Sequence, residues 1–235
     1  MCGRAKLLDD VSEIKLDLKI DFDEIGDYRP HWNAAPTSKL PVVVSRNGER
    51  TLTLMRWGLI PSWAKDLKIG YSTFNARAEG IDTRPAFRAA WQAGRRCLVI
   101  ADGYYEWRDA DKQPFAVALG NRGPMTLAGL WDQWRAPDGD TLKSFTIITT
   151  AANELLAPLH ARMPVLLGPE RWAAWLGEHR LGEKAATDAG LKAMLKPYPA
   201  AAMAYWPVDR RVGNVGNDSP DLFASLIPPE APAIK

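Results

Sequence analysis

Cys2 follows the initiator methionine directly, and a small second residue is the usual condition for removing that methionine. The mature chain would then begin with a cysteine that carries a free α-amine and a thiol on one carbon skeleton. Reference pKa values of ~7.7–8.0 for the amine and ~8.5 for the thiol leave neutral amine and thiolate together near neutrality. An aldehyde would condense with the amine to an imine, losing water, and the thiolate would close a five-membered thiazolidine on the same carbon. Closure is intramolecular, so it has the high effective molarity of an oriented pair. Many chains have a small second residue by chance, and Cys2 alone does not decide the matter.

Three other groups could share that chemistry. His160 stands at the end of a helical pattern before ARMPVLL, a place where a general acid or base can reach a sheet end; a packed or surface histidine is the plainer reading. Glu106 lies in GYYEW between Tyr105 and Trp107, whose rings would desolvate it and favour proton transfer, unless it is one outward residue of an alternating strand. Asn75, Arg77 and Glu79 alternate in FNARAEG, so an extended chain would turn all three to one polar rim or to a solvated edge. Cys97, inside an apolar run, reads as an inert core residue.

The elements that would position these groups are mostly strands. LPVVVSR from Leu40 and TLTLMRW from Thr51, separated by Asn47-Gly48, read as a hairpin. RCLVIAD from Arg96, PFAVAL from Pro114, MTLAGLW from Met125, SFTIITT from Ser144, PVLL from Pro164 and AMAYWPV from Ala202 are further β-rich runs. Helical patterns fit Asp9 to Ile20, Pro85 to Ala93, Ala152 to Leu159, Pro169 to Glu178 and Glu183 to Lys196. Strands outnumber helices and adjoin hairpin-like turns. The expected architecture is α+β and mainly antiparallel, a barrel-like single domain with flanking helices. Residues 1–222 form that domain and 223–235, ending in PPEAPAIK, a mobile tail.

With 46% hydrophobic and 25% charged residues over 235 positions, the chain has the makeup of a globular protein, which excludes a disordered, collagenous or coiled-coil one. A net charge of +2 argues against a uniformly basic nucleic-acid binder but leaves room for a local basic strip. Two cysteines are too few for a disulfide framework or a cysteine-based zinc site, and the three histidines are scattered, so no metal or cofactor is expected. No run is long and apolar enough to span a membrane, and MCGRAKLLDD lacks a secretory signal. A cytoplasmic protein follows, and a monomer is the expected state. Ten tryptophans are an unusual number, and some could line a stacking surface.

The ordered series MCGR, WNAAP at Trp32, WGLIPSW at Trp57, NARAEG at Asn75, RCLVIADGYYEW at Arg96, LAGLWD at Leu127, FTIITTAAN at Phe145, LHARMPVLL at Leu159 and VGNVGND at Val212 resembles the SOS-response-associated peptidase (SRAP) family. The resemblance runs to about residue 220. It implies a barrel-like domain that senses abasic sites in single-stranded DNA during the DNA damage response and bonds to them covalently through the N-terminal cysteine, shielding the lesion. It also implies removal of Met1 and a self-processing peptidase activity of the same cysteine, and it leaves lyase action at abasic sites open. The family's cysteine, asparagine, glutamate and histidine fall on Cys2, Asn75, Glu106 and His160.

In that setting His160 would open the sugar hemiacetal, Glu106 would move a proton at the amine or the leaving hydroxyl, and Asn75 would orient by hydrogen bonds. Arg4, Arg77 and Arg84 would grip phosphates, and Trp63 would stack on an unpaired base. Where some family members carry a second aromatic, this chain has Ala64. Expected partners are single-stranded DNA with abasic sites and the replication machinery, with a nucleoid location when bound. Two other readings stay open: an N-terminal-nucleophile cysteine peptidase acting on other proteins, and a single-stranded nucleic-acid binding module in which Cys2 is incidental.

Overall fold

A computed structural model describes residues 2–8, 10–178 and 185–227 of the chain. Strand β1 (Ala5–Lys6) leads into helix α1 (Ser12–Asp17), shorter than the pattern from Asp9 to Ile20, and then to the short β2 (Phe22–Asp23). The expected hairpin is present as β3 (Lys39–Arg46) and β4 (Glu49–Trp57). Asn47 and Gly48 take φ of 55° and 85°, as a two-residue turn matched to strand twist requires. A long segment connects β4 to β5 (Asn75–Arg77), and helix α2 (Pro85–Gln92) follows. Pro85 opens α2 where its missing N–H costs nothing, and the helix buries Phe87, Ala90 and Trp91 on one face.

Strands β6 (Arg96–Ala101), β7 (Gly103–Trp107), β8 (Pro114–Leu119), β9 (Met125–Arg135) and β10 (Thr141–Ala151) come next, then the short β11 (Arg162–Pro164). Helices α3 (Pro169–Leu176) and α4 (Asp188–Ala193) and the last strand, β12 (Met203–Pro207), complete the order.

β3, β4, β10, β9 and β6 close on themselves as a barrel-like sheet. Its pairings are antiparallel except one: β4 and β10 run parallel and seal the ring through Arg56 opposite Ser144 and Trp57 opposite Phe145. β5 then β11 continue along that same edge of β10. A second, four-stranded antiparallel sheet, β1-β7-β8-β12, branches off where β7 follows β6 across Asp102. The fold is α+β, mostly antiparallel, and a single domain, as the sequence predicts.

Barrel strands bury both faces, which is why they read as continuous apolar runs. Leu40, Val42, Val44, Met55 and Val99 pack with Cys2 and Tyr104, whereas Val43, Leu52, Leu98 and Ile100 pack under the helices with Trp91 and Trp175. Burying a side chain of this size contributes about 1.5–3 kcal/mol.

Three expectations are corrected. Ala152 to Leu159 forms consecutive turns rather than a helix. Asn153 caps the first turn, its Oδ1 accepting from Leu156 N at 2.9 Å and its Nδ2 donating to Tyr198 O at 2.8 Å, but Pro158 has no N–H to continue the ladder and turns the preceding residue away from helix. PVLL is not a strand beyond Pro164, because Val165 N donates to Ile148 on β10 and Leu167 N to Thr126 on β9, so the chain crosses between strands. The proposed tail does not begin at 223, since Phe223 packs edge-on to Tyr105 and Trp206; residues 228–235 lie outside the described residues, as do 183 and 184 of the last helical pattern. Among the described residues no helix is long and apolar enough to cross a membrane.

Candidate active site around Cys2

The N-terminus is brought to its place by strand pairing. Ala5 lies opposite Tyr104, and Arg4 O accepts from Tyr105 N at 3.0 Å, so the same register carries Gly3 and Cys2 past Glu106. Arg4 is the anchor. Its Nη1 donates to Asn33 Oδ1 at 2.8 Å and Val212 O at 2.6 Å, its Nη2 donates to Gly213 O at 2.9 Å, and its guanidinium lies 5.8 Å from the Trp107 ring centre. Asn33 Nδ2 in turn reaches the carbonyls of Val212, Asn214 and Asn217 at 2.9–3.1 Å. WNAAP and VGNVGND thus form a clasp around the first strand. A phosphate-gripping Arg4 was expected; the structure instead turns its donors to internal carbonyls and Asn33.

Cys2 is buried, and Asn75 Nδ2 donates to its carbonyl at 2.6 Å. Asn75 is fixed by β5, where it faces Ile147 of β10, and its Oδ1 is buried with no hydrogen-bond partner among the described residues. That oxygen is an acceptor waiting beside the N-terminal residue. Glu106 is 5% exposed, its Oε1 accepting from Trp107 N at 3.2 Å. Burial pushes the Cys2 thiol far above its ordinary range, and the nearby charge of Glu106 pushes the same way. Tyr104 is raised likewise, by burial first and then by the charges of Cys2 and Glu106. Cys2, Asn75, Glu106 and Tyr104 therefore share one low-dielectric neighbourhood. GYYEW does not mark Tyr104 for this cluster: both tyrosines are buried, and only the packing puts Tyr104 with Cys2 and Tyr105 on the other side.

His160 is half-buried at the end of the Ala152–Leu159 turns. Its Nδ1 accepts from Arg162 N at 2.9 Å, so the neutral ring carries its proton on Nε2. Arg162 holds Glu79 bidentately, 2.9 Å on each side, and donates to Thr149 O at 2.5 Å. Glu79 thus belongs to the support of the His160 loop rather than to a rim with Asn75 and Arg77.

Asn75 also lines a cleft of about 400 Å³ with Trp63, Arg84 and Phe87. Trp63 is 56% exposed, and Arg77, two residues along β5, is also exposed. Three expected site residues from separate motifs meet in this one cleft. A larger hollow of about 590 Å³, beside Asn153 and Tyr198, contains none of them. Among the described residues no group of three or more His, Cys, Asp or Glu side chains could hold a metal ion.

The buried thiols give a pH prediction. Cys2 and Cys97 keep their protons in the fold well above the pH at which an unfolded thiol, with pKa of ~8.5, releases them. Above that pH the unfolded chain binds fewer protons than the native one, so stability falls as pH rises. Thermal melts at pH 7.5, 9 and 10.5 should show the midpoint already lower at pH 9 than at 7.5 and lower again at 10.5; a midpoint unchanged at pH 10.5 would contradict buried, protonated thiols.

The family model described as SOS response associated peptidase (SRAP) matches residues 1–215. The chain is 38% identical over 230 residues to Abasic site processing protein YoqW of Bacillus subtilis (strain 168), covering 96% of this chain and 100% of that one. It is 34% identical to Abasic site processing protein HMCES of Xenopus tropicalis over 232 residues, 85% of this chain and 67% of that one. A crystal structure of a protein from Bacteroides thetaiotaomicron superposes with a TM-score of 0.84 over 96% of this chain and 100% of that chain, at 23% identity, a likeness of fold. A chain so matched over nearly its whole length belongs to the SOS response associated peptidase (SRAP) family.

Proposed function

We propose that this protein processes abasic sites in single-stranded DNA by forming a covalent bond to them through Cys2 once Met1 is removed. The observation that carries this reading is the 2.6 Å bond from Asn75 Nδ2 to the Cys2 carbonyl, made by a residue that also lines the Trp63–Arg84 cleft. It ties the nucleophile to a surface suited to single strands, with an exposed indole for a base and cations for the backbone. The names of the relatives, abasic site processing proteins, point to the same substrate.

The chemistry follows in steps that balance. The abasic sugar is mostly a closed hemiacetal; His160, as the Nε2–H tautomer, donates a hydrogen bond to the ring oxygen, a solvent water gives that oxygen its proton and takes the anomeric hydroxyl's as the C–O bond breaks, and the aldehyde is released. The Cys2 amine adds to the carbonyl carbon, one amine proton and one solvent proton pass to the oxygen, and it departs as water, leaving an iminium. The thiol sulfur then attacks that carbon, its proton passes to the Glu106 carboxylate, and the thiazolidine nitrogen is left neutral. A thiol that burial keeps protonated is held back until the iminium forms beside it. Asn75 holds the Cys2 carbonyl, and its open Oδ1 is an acceptor for the free amine or a sugar hydroxyl. Arg77 and Arg84 hold flanking phosphates, so affinity falls as salt rises. Arg4 acts here as the anchor of the first strand. Self-removal of Met1 by Cys2 is the peptidase activity consistent with this site.

The test is a denaturing gel of the protein with a single-stranded oligonucleotide bearing one abasic site, beside Cys2→Ala, with the N-terminal mass measured on each sample. A heat-resistant shifted band in the wild type and none in Cys2→Ala is expected. No band from protein whose Met1 is gone would reject capture; cleavage of unrelated peptides by the same sample would favour the peptidase reading instead.

A further inference from the structure

Trp63 is exposed, yet the backbone that carries it is not free to move. Ala64 N donates to Pro61 O at 2.9 Å, which makes Pro61 to Ala64 a turn with Trp63 near its tip. Strand β9 grips this turn on both sides of the tryptophan. Ser62 N donates to Asp132 Oδ2 at 3.2 Å, and Trp134 Nε1 donates to Ala64 O at 2.7 Å. Asp132 and Trp134 are two residues apart on one strand, so both side chains project from the same face. Both are buried. The second oxygen of Asp132 accepts from Gln133 N at 2.7 Å and from Arg95 Nη1, which leaves the carboxylate fully engaged.

A buried carboxylate and an indole N–H spent on loop backbone contribute little to closing a barrel. Burying such a charge is costly, and apolar side chains could fill the space. What they do contribute is rigidity at the exposed aromatic that lines the cleft with Asn75. A stacking platform that is already ordered saves the entropy of ordering it when a strand binds. From this geometry we infer that Asp132 and Trp134 are positioning residues for nucleic-acid engagement, clamping the Pro61–Ala64 turn so that Trp63 is presented to an unpaired base next to Cys2. The inference rests on the reading above that the cleft receives single-stranded DNA.

The experiment is a double-mutant cycle between the clamp and the tryptophan. Trp134→Phe keeps the ring and deletes the donor. Asp132→Asn serves as the second variant, because an amide cannot accept on both sides as the carboxylate does. Binding of a labelled, undamaged oligothymidine is measured by anisotropy, with thermal midpoints alongside. Trp63→Ala should weaken binding about 10-fold, the scale of one lost base stack. Trp134→Phe or Asp132→Asn should weaken it about 3- to 10-fold, and neither should weaken it further when Trp63 is already alanine. A clamp variant that leaves affinity unchanged, or that costs as much in the Trp63→Ala background, overturns the inference, as does Trp63→Ala binding like wild type. Should the cycle couple as described while abasic DNA gives no covalent band, the clamp stands and the capture reading alone fails.

Discussion

Cys2→Ser should form an adduct with abasic single-stranded DNA only when a reductant traps it. The variant keeps the α-amine, the Asn75 bond to the residue-2 carbonyl and almost the same volume, so imine formation is left intact. What it loses is the sulfur. A serine hydroxyl is a far weaker nucleophile, and the ring it would close reopens readily to the imine. On a denaturing gel the wild type should show a heat-stable band without treatment. Cys2→Ser should show that band only after borohydride, so that the untreated yield falls from most of the DNA to background. An untreated serine adduct as durable as the wild type would mean that the amine alone makes the stable bond. A serine variant that forms no adduct even with borohydride would mean that the sulfur attacks first.

Gly58→Ala should be the most damaging single methyl in the segment between β4 and β5. Gly58 has φ of 113°, a conformation L side chains rarely adopt, and an added Cβ would lie 2.5 Å from the backbone oxygen of Gly70. The obstacle is main chain, so it cannot be relieved by a rotamer change. Strain and clash together should cost about 3 kcal/mol or more, roughly 6–12 °C in Tm for a chain of this size. Gly48→Ala is the control. It has positive φ but nothing within 4 Å of the new methyl, so it should cost only the conformational penalty of about 1 kcal/mol. Equal losses for the two would mean that the contact with Gly70 is unimportant. Because Gly58 and Gly70 bring together the two ends of the stretch that holds Trp63, Gly58→Ala should also weaken oligothymidine binding in calorimetric titration below the melting range.

Much of this was legible in residue pattern. Asn47-Gly48 marks the hairpin because few other dipeptides accept two positive φ values, and the doubly buried barrel strands announce themselves as unbroken apolar runs. Asn75, Trp63 and Arg84 could be named individually, but their meeting in one cleft depends on β5 lying along β10 and on the Gly58–Gly70 approach. Pairings between residues some seventy positions apart leave no local trace. The Ala152–Leu159 segment misled for a local reason. Its apolar spacing suits a helix, but Pro158 lacks an N–H and ends the ladder. Arg4 shows the limit set by remote partners at the site. A cation near a nucleophile suggests phosphate, and only the fold reveals the carbonyls at 212 and 213 that claim it.

The clasp made by Arg4, Asn33 and residues 212–217 also bears on when the protein becomes reactive. The first strand is held by nearly the last packed part of the chain, so during synthesis the N-terminal cysteine stays unplaced until almost every residue has been made. Self-removal of Met1 by a placed Cys2 waits on the same event, so the free amine and the surroundings that make it selective for one aldehyde arise together. The reactive geometry belongs to the finished molecule, and C-terminal truncation ahead of Val212 should free the N-terminus as surely as a substitution beside it.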